Sequence, residues 1–166
     1  MLPEPSAVFL VGFMGAGKTT TGRALARLLG WEFIDLDERI VETERRGIAE
    51  ILRASGEPYF RQLEARLLAE LRGRGRLVVA CGGGTYAHEG SRALIDGMGT
   101  AVWIQVPLDL ALARCEKGAA RPLLQGAAQA EALYRARLPA YRTAPLRLEA
   151  EGLSPDEAAQ RIAALL

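Results

Sequence analysis

Residues 12 to 19 read Gly-Phe-Met-Gly-Ala-Gly-Lys-Thr, the spacing G-x-x-x-x-G-K-[ST], placed after the apolar run Val8–Val11 and before a helical pattern from about Lys18 to Leu29. No other feature constrains the fold as strongly. The motif needs a strand to enter it, a helix to leave it, and glycines between them that turn successive backbone N–H groups inward. Such a loop surrounds a phosphate, and the helix N-terminus behind it adds partial positive charge. Gly15, Ala16, Gly17, Lys18, Thr19 and Thr20 are therefore expected to hold the phosphates of a nucleotide. Lys18 can bridge the β- and γ-phosphates, and the Thr19 hydroxyl can ligate Mg²⁺. The loop alone does not separate a kinase from a GTPase, an ATPase or a regulatory nucleotide binder.

The rest of the chain alternates short apolar runs with longer helical patterns, which predicts a doubly wound, five-stranded parallel α/β sheet flanked by helices. Strands are expected at Val8–Val11, Trp31–Asp35, Leu77–Cys81, Ala101–Val106 and Leu146–Leu148. Helices are expected at Lys18–Leu29, Asp37–Ser55 with a break near Gly47, Pro58–Arg72, Ser91–Asp96, Leu108–Cys115 and Ala127–Arg137. A last helix starts with Ser154 as N-cap, Pro155 next and Glu157 at the third position, a capping box. Such sheets place ligands at the C-terminal ends of their strands. The polar and glycine-rich segments Gly12–Thr19, Asp35–Asp37 and Gly82–Gly84 all fall there.

The 166 residues are one domain's worth, and the 21 basic and 20 acidic side chains leave a net charge of +1. That balance supplies no field for nucleic acid or an anionic membrane surface. The apolar run near the N-terminus is too short to span a bilayer and lacks a signal peptide's flanks. Cys81, Cys115 and His88 have no metal-ligand spacing, and the thiols suit a reducing compartment. A cytoplasmic monomer is expected.

Several residues stand out as candidates for the rest of the site. The strand Leu77–Val79 runs into Ala80-Cys81-Gly82 with no carboxylate, so the nearest candidates for a metal-ordering acid are Asp35 and Asp37. Alternation along an extended segment points both the same way. Asp35 can steady Mg²⁺ through water, while Asp37 accepts from a substrate hydroxyl. The alternative makes Asp37 a helix N-cap and Asp35 a solvated loop residue. Arg61 and Glu64 share a helix face, so the carboxylate can hold the guanidinium as a receptor for an anion. Gly82, Gly83 and Gly84 would let a substrate approach bare backbone, and Arg137 is a second arginine of interest. Arg121 lies among small residues that suit a mobile lid over about 114–126, where a cation can offset charge on a transferring phosphoryl group.

Taken together these motifs resemble shikimate kinases. The resemblance is carried by GFMGAGKTT at Gly12–Thr20, D-x-D at Asp35–Asp37, G-I-x-E-I from Gly47 and G-E-x-x-F-R-x-x-E from Gly56 to Glu64. It continues with G-G-G at Gly82–Gly84, R-P-L-L at Arg121–Leu124 and R-x-P-x-Y at Arg137–Tyr141, in order over nearly the whole chain. It implies a P-loop fold like that of the nucleoside monophosphate kinases, and transfer of the ATP γ-phosphoryl group to the 3-hydroxyl of shikimate. It further implies that Asp37, Arg61, Gly83 and Arg137 bind shikimate, with the arginines on its carboxylate and a helical segment over about 37–64 carrying part of that site. Thr19 matches the Mg²⁺ ligand, and Arg121 the lid arginine that contacts ATP. The loop Ala150–Leu153 lacks the basic or amide residue that often borders the adenine, so no adenine contact is carried over. A kinase for gluconate or a nucleoside monophosphate is the nearest rival. A non-catalytic relative would be expected to lack Lys18, Asp37 or an arginine.

Overall fold

In the computed structural model, which describes residues 7–117 and 126–166, the chain runs β1 (Ala7–Val11), α1 (Lys18–Leu29), β2 (Glu32–Asp35), α2 (Leu36–Glu44), α3 (Ile48–Ala69) and β3 (Leu77–Ala80). It continues through α4 (Glu89–Met98), β4 (Thr100–Gln105), α5 (Leu108–Lys117), α6 (Ala127–Tyr141), β5 (Leu146–Glu149) and α7 (Pro155–Leu165). One sheet holds the strands in the order β2-β3-β1-β4-β5, and every neighbouring pair is parallel. The expected fold class is the observed one.

Strand composition sets strand position. Every residue of β1 and β3 is buried, as continuous apolar runs must be when helices cover both faces of a parallel sheet. The outer strands β2 and β5 carry Glu32, Asp35, Arg147 and Glu149, charges that discourage another chain from adding to the edge. Helix α1 ends where expected, at Gly30 in the left-handed region with φ 68°, its N–H bonded to the carbonyls of Ala26 and Arg27. Helix α7 packs against α1 and begins with the expected box: Glu157 N–H donates to Ser154 Oγ, and Ser154 N–H to Glu157 Oε1.

Gly56 separates two helical stretches within Ile48–Ala69, as expected, its φ of 85° and ψ of 166° breaking the helix at a kink. The break near Gly47 is present, with Arg45 in the left-handed region and Gly47 capping α3. Helix α6 does not stop at Arg137 but continues through Pro139 to Tyr141. A proline removes one hydrogen bond from a helix interior. Burial of Arg137, Ala140 and Tyr141 holds that last turn in place. Arg121 and most of the expected lid lie outside the described residues. Among the described residues, no helix is long and apolar enough to cross a membrane.

Candidate active site

The C-terminal ends of β1, β2 and β3 open on one cavity of about 330 Å³, with the glycine loop, Asp35, Asp37, Gly82 and Gly83 on its walls. The loop keeps its shape in part because Gly12 and Gly15 leave no room for a side chain. Gly15 adopts φ 80°, and a Cβ there would collide with the Ala111 carbonyl of α5. Lys18 is buried and its Nζ donates to the carbonyls of Gly12 (2.6 Å) and Phe13 (2.9 Å), so the ammonium is held over the loop. Thr19 Oγ1 donates to Asp35 Oδ2 at 2.6 Å.

Asp35 and Asp37 reach this cavity by a different route from the one the alternation implies. The extended segment ends at Asp35, which is the N-cap of α2 and accepts from the Glu38 N–H at 3.1 Å. Asp37 lies in the first helical turn. The cap is therefore Asp35, not Asp37, and Asp35 is no solvated loop residue. Asp37 still faces the glycine run, since a Cβ on Gly82 would fall 2.8 Å from its Oδ1.

The second glycine-rich segment forms a wall shared with an adjoining cavity that Arg61, Gly84 and Arg137 line. Arg61 donates to Glu64 Oε1 at 3.0 Å and pairs more loosely with Glu57 at 3.5 Å. Glu64 is fully buried, and its other oxygen accepts from Thr85 Oγ1 at 2.7 Å. A Cβ on Gly84 would strike the Nη2 atoms of both Arg61 and Arg137, and one on Gly83 would lie 3.1 Å from Arg137 Nη1. The two arginines, on α3 and α6, thus meet at one glycine.

Arg137 is buried, and burial, reinforced by the Arg61 charge, lowers its pKa from the ordinary arginine value. Its Nη1 is buried with no hydrogen-bond partner among the described residues. The Tyr141 hydroxyl, one turn further along α6, donates to the Gly83 carbonyl at 2.6 Å.

Some residues of the site carry no signal in the sequence. Arg114, Ala150, Leu153, Pro155 and Ala158 close the far side of the first cavity. Small apolar side chains from a loop and a helix end make a wall without any motif, and only Arg114, which donates to the Gly15 carbonyl at 3.2 Å, had a polar clue to give. Thr85 likewise reads as an ordinary loop residue until its bond to Glu64 is seen.

A phosphate cradle at the end of β1, beside a glycine run at which the buried Arg137 and the partly buried Arg61 meet, defines a class: a P-loop kinase. The family model described as "Shikimate kinase" matches residues 14–166. The chain belongs to the shikimate kinase family, enzymes that use ATP to phosphorylate a hydroxyl group. A curated shikimate kinase from Persephonella marina is 39% identical over 149 residues, which cover 89% of this chain and 91% of the relative. The solved shikimate kinase from Acinetobacter baumannii, in complex with shikimate, is 38% identical with a TM-score of 0.89, covering 98% of this chain and 93% of that one. A deoxyadenosine kinase from M. mycoides, 15% identical with a TM-score of 0.64 and covering 96% of this chain and 97% of its own, shares the fold alone.

Proposed function

We propose that this chain transfers the γ-phosphoryl group of ATP to the 3-hydroxyl of shikimate, a cyclohexene carboxylate with ring hydroxyls. The observation that carries the reading is the buried Arg137 guanidinium, one nitrogen without an acceptor among the described residues, beside Arg61 at Gly84. A buried donor left unmade costs about 1–3 kcal/mol, and more when charged. A carboxylate is the group that guanidiniums satisfy with two parallel hydrogen bonds. A neutral sugar's hydroxyl can accept one such hydrogen bond but brings no charge to match the two guanidiniums.

In this reading the triphosphate occupies the loop Gly12–Thr19, with Gly15, Ala16, Gly17 and Thr20 contributing backbone and hydroxyl donors. Lys18 exchanges the Gly12 and Phe13 carbonyls for phosphate oxygens. The base end of ATP lies against Arg114, Leu153 and Pro155. Thr19 and Asp35 would hold Mg²⁺, the carboxylate through water: a hydroxyl and a carboxylate oxygen 2.6 Å apart are the hard donors this ion selects. Bound there, Mg²⁺ offsets charge on the β- and γ-phosphates. Asp37 orients the acceptor hydroxyl and receives its proton as the oxygen attacks phosphorus and the bond to the bridging oxygen breaks, releasing ADP. Arg61, Arg137 and the Gly82–Gly84 backbone fix the ring, on the segment 37–64 and the end of α6. Arg121, within a lid at 114–126, offsets charge on the moving phosphoryl group. The free thiols of Cys81 and Cys115 suit a reducing cytoplasm.

Coupled ADP release, measured with shikimate, gluconate and nucleoside monophosphates in turn, tests this. Turnover is expected with shikimate alone. Faster turnover with either of the others would overturn the assignment.

A further inference from the structure

Tyr141 raises a question that packing does not answer. Its ring is fully buried and stacks on Trp103, centroids 5.8 Å apart and planes inclined by 29°. A phenylalanine ring would supply the same contact. The hydroxyl is therefore the feature to explain, since burying it without a partner would be costly. Burial pushes the phenol up to about 12, so it stays protonated and remains a donor. Its acceptor is the Gly83 carbonyl at 2.6 Å, and its oxygen neighbours Arg137, each group perturbing the other's proton affinity.

The peptide joining Gly83 to Gly84 has no stiffness of its own to set its direction, because glycine on both sides permits either orientation. A trans peptide is planar, with the N–H antiparallel to the carbonyl. Anchoring the Gly83 carbonyl to Tyr141 thus turns the Gly84 N–H the opposite way, and Gly84 lines the cavity at which Arg61 and Arg137 meet. Tyr141 sits on the same helix as Arg137, one turn on, so the anchor also ties the glycine run to that arginine.

We infer that Tyr141 is a positioning residue for substrate recognition: its hydroxyl fixes the Gly83–Gly84 peptide and its register with Arg137, so that backbone and guanidinium address one carboxylate together. The inference rests on the reading of that cavity as a carboxylate site. Tyr141→Phe, which keeps the ring and the stacking, tests it in steady-state kinetics with shikimate and with its methyl ester, which lacks the carboxylate charge. The expected result is a KM for shikimate raised about three- to tenfold, the range of one hydrogen bond, with kcat and the KM for ATP moving less than about twofold. The methyl ester should show no such rise. Equal rises for acid and ester, a matching fall in kcat, or an unmoved shikimate KM would each overturn the inference. Arg137→Ala, assayed alongside, separates the two layers. If it raises the shikimate KM while Tyr141→Phe does not, only the role of Tyr141 falls; if neither moves it, the carboxylate site itself is wrong.

Discussion

Thr85 Oγ1 donates to Glu64 Oε2 at 2.7 Å, with both side chains fully buried, while the other Glu64 oxygen holds Arg61 at 3.0 Å. The carboxylate is thus shared between the glycine run that follows β3 and the arginine on α3. Thr85→Val keeps the shape and removes one donor from a buried acceptor, which should lower the unfolding free energy by about 1–3 kcal/mol. Glu64→Ala leaves both Thr85 and Arg61 short of an acceptor, and should cost about 3–5 kcal/mol. Urea denaturation of the two variants checks the order. A Glu64→Ala protein as stable as Thr85→Val would mean that Arg61 draws its support from Glu57 instead.

Gly84 offers a sharper probe of the pocket. Its missing side chain leaves the space that the Nη2 atoms of Arg61 and Arg137 approach. Gly84→Ala should push the guanidiniums out of register and weaken shikimate binding at least about tenfold, the loss of one charge-assisted hydrogen bond, with ATP binding little changed. Gly97, inside α4, has open space where a Cβ would sit, with no atom within 4 Å of it. Gly97→Ala should therefore stabilise the chain by about 0.5–1 kcal/mol through helix propensity. Isothermal titration with shikimate and with ATP checks the first substitution, and urea denaturation the second.

The difference between Gly84 and Gly97 shows what a sequence discloses. Gly82–Gly84 stood out because the run ends an apolar strand, and strand ends are where such sheets bind ligands. The loop Gly12–Thr19 was legible for the same reason, its spacing being local. Arg61 and Glu64 were legible as a pair because helical periodicity alone brings residues three apart together. Asp35 and Asp37 were read into the right cavity by the wrong geometry: alternation fails once α2 begins at Leu36, a boundary that the Asp35 cap decides. Tyr141 belonged to a motif without a role, because its acceptor is 58 residues away in sequence. The wall at Ala150, Leu153 and Ala158 had no local signature, since apolar contacts define it only after α7 has docked.

Asp35 has two tasks that can be separated. One oxygen caps α2, and the other accepts from Thr19. Asn caps helices about as well as Asp, whereas Ala does not, a difference typically of about 1 kcal/mol. Asp35→Asn should therefore keep the melting temperature while raising the Mg²⁺ concentration needed for half-maximal activity. Asp35→Ala should lower both stability and Mg²⁺ response. Activity against free Mg²⁺, set beside thermal melts, checks the split. An unaltered Mg²⁺ curve for Asp35→Asn would remove Asp35 from the metal site.

Acid should loosen the last helix. The Ser154 backbone N–H and side-chain hydroxyl hold the Glu157 pKa below its usual 4.5. A group whose pKa is depressed on folding contributes stability that is fully present above its unfolded value and is lost as the pH falls through the folded one. At neutral pH the melting temperature of Glu157→Ala should thus lie below that of the parent chain. As the pH drops below 4.5, the carboxylate protonates, the parent loses the same contribution, and the gap should close. Helix α7 supplies Pro155 and Ala158 to the first cavity, so the ATP KM should rise in Glu157→Ala before the shikimate KM does. A melting gap that widens in acid would mean that Glu157 is opposed in the folded chain rather than held by its cap.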